Sequence, residues 1–82
     1  MTDNIDRMIR NNIMNILIEC RKEKGVTQSE LAKYLGLKPT TIASWEQGKS
    51  LPSIPTLYKL ATYYNKSISY MYEEKNSHSI IE

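Results

Sequence analysis

The chain has 82 residues, a formal net charge of +2 and 40% apolar side chains, which suits one small domain. No run of about 18 apolar residues is present to cross a bilayer. The opening MTDNIDRMIR lacks the continuous apolar stretch of a secretion signal, so a cytoplasmic location is expected. One Cys (Cys20) and one His (His78) exclude an intramolecular disulfide and a zinc site, and neither metal nor cofactor is expected.

Five helices and no strands are expected. The first runs from about Asn11, or somewhat earlier, to Lys24. Ile13, Leu17 and Cys20 mark its buried face and Ile16 its edge. Ile5, Met8 and Ile9 extend the same stripe towards the N-terminus. Gly25 ends the helix after a Lys-rich turn that suits its dipole. Thr27-Gln28-Ser29-Glu30 reads as a capping box, in which the Thr hydroxyl accepts a free N–H and Glu30 reaches back. Leu31, Ala32 and Leu35 then face inward, Gly36 closes the second helix and Leu37 packs in the turn. Pro39 opens the third helix, where its missing N–H costs nothing. Ile42 and Trp45 share the inner face of that helix, so Trp45 is read as core, and Gly48 ends it. Ser53 caps a fourth helix, about Ile54 to Tyr64, with Leu57, Leu60, Ala61 and Tyr64 at i, i+3, i+4 and i+7. Ser67 caps a short last helix that turns Ile68 and Met71 inward. Residues 1–10 are then an N-terminal extension, partly helical or disordered; 11–72 form the domain; 73–82 are a flexible acidic tail.

The most telling spacing is Ala32, Gly36 and Ile42, four and then six residues apart. It fits two short helices joined by a tight turn. The small Ala lets the second helix approach, the Gly takes a positive φ, and the Ile plugs the gap. Such a pair can present its second helix to the DNA major groove. Charge agrees. Residues 7–66 hold ten Lys or Arg against four Glu, whereas 1–6 and 67–82 are each net −2. A basic body suits a phosphate backbone.

RKEKGVTQSELAKYLGLKPTTIASWEQGKSLPSIPTLYKLATYY resembles the phage-repressor and Cro type of helix-turn-helix domain, the XRE family. The likeness rests on the Arg late in helix one, the Thr-Gln-x-x-Leu-Ala opening, the turn Gly, Trp-Glu-x-Gly-Lys, the Pro-Ser loop and Leu-x-x-Leu-Ala, over about residues 11–72. It implies an all-α, compact five-helix bundle of the lambda-repressor-like type. It also implies a transcriptional regulator, most often a repressor, that binds double-stranded DNA as a homodimer.

Site residues follow from the matching positions. Gln28, Thr41 and Lys49 match family residues that touch DNA phosphates, and Gln28 can also brace a side chain of the recognition helix. Lys38 is a further phosphate candidate beside that helix. Base contacts fall to Pro39, Thr40, Ala43 and Ser44, a set that departs from relatives in having no Arg, Gln or Asn to make a bidentate base contact. Arg21 and Glu46 match a family ion pair linking helix one to the recognition helix. Tyr58, Tyr63, Tyr70 and Tyr72 crowd the end of the fold that often forms the dimer interface, and aromatics are enriched at interfaces. No catalytic residue is expected, because no nucleophile–base pair, carboxylate dyad or Gly-rich phosphate loop is present. The competing reading is a protein-interaction module, such as an antitoxin or anti-repressor partner with weak DNA binding, engaging a protein through its C-terminal tail.

Overall fold

A computed structural model describes residues 2–73. Its order is α1 (Thr2–Lys24), α2 (Gln28–Leu35), α3 (Pro39–Glu46), α4 (Ile54–Tyr64) and a 3-10 turn (Ser69–Met71), with no strand among the described residues. Helix α1 begins well before the expected Asn11. No Gly or Pro interrupts its 23 residues, and at 1.5 Å per residue it is roughly 34 Å long. The longest dimension of the molecule is 40 Å.

The local stops and starts are chemical. Thr27 Oγ1 accepts from the Glu30 amide at 3.0 Å while Glu30 Oε1 accepts from the Thr27 amide at 2.8 Å, so both arms of the capping box are made. Gly36 ends α2 at φ +73°, and the Leu37 amide returns to the Ala32 carbonyl at 2.8 Å, a Schellman closure. Ser53 Oγ accepts from the Thr56 amide at the start of α4. Asn65, at φ +59°, ends α4 in the left-handed conformation that Asn tolerates.

One core results. Ile13, Ile16, Leu17 and Cys20 of α1 meet Leu31 and Ala32 of α2, Ile42 and Trp45 of α3, and Leu57, Leu60, Ala61 and Tyr64 of α4, with Met71 closing the base. Each fully buried Leu or Ile contributes about 1.5–3 kcal/mol. Ile16, expected at the edge, is 1% exposed.

Three expectations need correction. Ile5, Met8 and Ile9, expected to extend the buried stripe of α1, are 55%, 48% and 38% exposed, because this end of the helix overruns the body. The fifth helix is only a 3-10 turn: the Tyr70 and Met71 amides bond to the carbonyls three residues back, at 3.2 and 3.0 Å. Ser67 Oγ takes a second bond from the Tyr70 amide, a local alternative that competes with a regular helix. Leu37, expected to pack in the turn, is 39% exposed, because the turn needs only Gly36 and the backbone bond. The acidic tail beyond Glu73, with His78, Ile80 and Ile81, lies outside the described residues. Among the described residues no helix is long and apolar enough to cross a membrane.

Candidate nucleic-acid interface

The hub of the site is Glu46, the last residue of α3. Arg21, in the last turn of α1, donates from Nε to Glu46 Oε2 at 2.7 Å and from Nη2 to Oε1 at 3.0 Å. Its remaining Nη1 donates to the Val26 carbonyl at 2.9 Å. Gln28, the first residue of α2, donates from Nε2 to Glu46 Oε1 at 3.0 Å. One carboxylate thus ties the end of α1, the start of α2 and the end of α3. The Arg fork matches a carboxylate bidentately. The Glu46 side chain is only 6% exposed, so these donors replace the water it has lost. The Arg21 guanidinium is pushed above its ordinary value, first by the hydrogen bond it donates to Glu46, with burial acting against it.

Beyond Glu46 the chain turns sharply. Gly48 sits at φ +75°, and the Lys49 amide bonds back to the Ser44 carbonyl at 2.9 Å. A side-chain carbon on Gly48 would lie 3.3 Å from Met14 Sδ, so α1 passes close beneath the end of α3. Exposed Lys49 follows at once.

The opposite end of α3 is open. Lys38, Pro39 and Thr40 are exposed, and Thr41, Ala43 and Ser44 are half-buried. No side chain caps this N-terminus; Pro39 has no N–H and the Thr41 amide bonds the Lys38 carbonyl at 2.9 Å, so the Thr40 amide is the first-turn donor that can meet an anion there. Ser44 is partly committed, since its hydroxyl lies 2.7 Å from Ser50 Oγ. A hydroxyl has one proton to give and two lone pairs, so capacity remains for a base edge. Ser50 was not singled out from the sequence, because its pairing depends on the turn at Gly48.

The tyrosines divide. Tyr58 and Tyr72 are 56% and 48% exposed. Tyr63 is half-buried and stacks on Tyr34 of α2 at 4.4 Å between ring centroids, with Lys24 Nζ 4.8 Å from its own ring centre. Tyr70 is half-buried beneath Lys66 Nζ, 4.7 Å from its ring centre. Two of the four are therefore engaged within the chain. Tyr64 is buried in the core, and its hydroxyl has no hydrogen-bond partner among the described residues. Burial pushes that phenol well above its ordinary value. Among the described residues no three His, Cys, Asp or Glu side chains converge as metal ligands.

A family model described as helix-turn-helix matches residues 17–71, the stretch that carries the Glu46 hub and the open end of α3. The chain belongs to the XRE-type helix-turn-helix family. An HTH-type transcriptional regulator of Archaeoglobus fulgidus is 44% identical over 50 residues, covering 61% of this chain and 71% of that one. The antitoxin HipB of Escherichia coli is 38% identical over 48 residues, 58% of this chain and 51% of the antitoxin. Among solved structures, the SOS-response transcriptional repressor LexA of Eubacterium rectale superposes with a TM-score of 0.78 at 28% identity, over 83% of this chain and 72% of that one.

Proposed function

We propose that this helix-turn-helix protein is a sequence-specific transcriptional regulator, a repressor, that binds a two-fold DNA operator as a homodimer in the cytoplasm. The observation that carries the reading is the Glu46 hub: it fixes α3 from its far end and leaves the Lys38–Thr41 end open. That end enters the major groove. Pro39, Thr40, Ala43 and Ser44 meet base edges, while Lys38, Thr41 and Lys49 meet phosphates. Gln28 does two jobs, bonding Glu46 with its amide and presenting the start of α2 to a phosphate. No enzymatic step is assigned.

Base reading is light. Thr40 and Ala43 offer methyl groups to thymine, and Ser44 bonds either a donor or an acceptor. Each absent bidentate pair forgoes about 1–3 kcal/mol of discrimination, so DNA shape and the spacing of two half-sites, about 34–36 Å apart, supply much of the rest. The exposed Tyr58 and Tyr72 serve the dimer contact.

Selection of bound sites from a random duplex pool, followed by a salt series on each winner, tests this. An inverted repeat with a few fixed bases per half-site is expected. Absence of enrichment, with binding that falls steeply with salt, would leave only backbone attraction. The similarity to an antitoxin over 58% of the chain favours the second reading in that event, a protein partner engaged in part through residues 73–82.

A further inference from the structure

Helix α1 overruns the helix-turn-helix body, and one of its stripes follows the end of α3. Arg21 on that stripe bonds Glu46, and Met14, seven residues earlier, lies against Gly48. Further towards the N-terminus the same stripe carries Asn11, Arg10 and Arg7. These residues, with Asp6, face Gln47 and Gly48 across an open groove of about 430 Å³. Lys49, next in sequence to Gly48 and exposed, is a phosphate candidate on the turn after α3.

Two duller roles for the arginines are weak here. The carbonyls at the end of α3 already accept backbone donors, Ala43 from Gln47, Ser44 from Lys49 and Trp45 from Gly48. They do not need a guanidinium. Neither Arg7 nor Arg10 takes part in the Arg21–Glu46 or the Lys66–Glu23 ion pair. Asp6 offsets part of the groove's positive charge without removing it.

We infer that Arg7 and Arg10, on the N-terminal overhang of α1, form with Lys49 a second phosphate-binding surface that grips the DNA backbone outside the base-reading contacts of α3. The inference rests on the DNA-binding reading above. Guanidinium forks suit phosphate oxygens, and backbone contacts fix register without reading sequence. The overhang therefore adds affinity and salt dependence and leaves base preference alone.

The test compares the full chain with an Arg7→Gln/Arg10→Gln variant by fluorescence anisotropy on the selected duplex, over a salt series. Gln has helix propensity close to that of Arg, and both sites lie outside the core, so an unchanged melting curve is expected. Two lost phosphate contacts should flatten the log–log salt slope by roughly 2 and weaken binding roughly tenfold or more at 0.1 M salt. The selected consensus should not change. Asp6→Asn should tighten binding and steepen the slope. A duplex trimmed to the bases under α3 should erase the difference between wild type and the double variant. Equal slopes for the two proteins on the long duplex would overturn the inference while leaving the DNA reading intact. Failure of the wild-type chain to bind any duplex would overturn the DNA reading, and this inference with it.

Discussion

The two ends of α3 are built in opposite ways. At its C-terminal end, Glu46 takes three side-chain hydrogen bonds from two other helices, and Gly48 locks the turn that follows. At its N-terminal end, Lys38, Pro39 and Thr40 stand in solvent with no side-chain cap. A helix held at one end and bare at the other can be aimed rigidly at a surface while its reading residues vary freely. On the proposed function the fold separates holding from reading: the buried network fixes the pose of α3, and the small side chains at its open end would set which bases are preferred.

Breaking the held end should have the largest effect. Arg21→Ala strands a buried carboxylate, and removing one partner of such a pair costs about 3 kcal/mol or more. Each 1 kcal/mol moves the melting temperature of a domain this size by about 4–8 °C, so circular dichroism should show a fall above 10 °C. An unchanged melting temperature would show that the network is decoration. Gly48→Ala comes next. Its left-handed φ of +75° costs a residue with a Cβ about 1–2 kcal/mol, and Met14 must also yield slightly. Thermal melts should place it between Arg21→Ala and wild type.

Changes at the open end should spare stability. Thr40→Ala should leave the melting curve alone and weaken binding to the selected site by about 1 kcal/mol or less, read by anisotropy, because it removes one hydroxyl and one methyl contact. The smallest expected effect lies in the wall below the hub. Tyr64→Phe deletes a buried hydroxyl that has no partner among the described residues, so the variant should be as stable as wild type or up to about 1 kcal/mol more stable. Because burial raises the folded-state pKa of Tyr64 above the ordinary 10.0, the folded chain keeps a proton that the unfolded chain loses. Its contribution is complete below pH 10 and is lost as pH climbs beyond it. Tyr64→Phe should show a shallower alkaline decline in melting temperature.

Features made by neighbours in sequence were readable from the residues alone. The Thr27–Glu30 box, the Gly36 turn, Pro39 at the start of α3 and Ser53 before α4 each need only a few consecutive residues. The Arg21–Glu46 pair spans 25 positions, and it was anticipated through family resemblance, not through any local pattern. What escaped depends on how helices cross. Ser44 meets Ser50 only because Gly48 reverses the chain, and Arg7 and Arg10 line one groove with Gln47 only because α1 runs under the end of α3. The early start of α1 was harder to read, because residues 1–10 have no Gly or Pro to mark a boundary and Ile5, Met8 and Ile9 stay exposed. The last helix shrank to a 3-10 turn because its serines bond locally.

The most direct test of this division is amide chemical-shift mapping of the labelled chain titrated with a duplex of about 20 base pairs, roughly two turns of DNA at 10–10.5 base pairs each. The largest shifts should fall on Lys38, Thr40, Thr41, Ala43, Ser44, Gln28 and Lys49, with Glu46 and Trp45 little changed because the held end does not move. Shifts centred instead on Tyr34, Tyr58 and Tyr72, with the start of α3 silent, would contradict the account and show that α3 is not the DNA-facing helix.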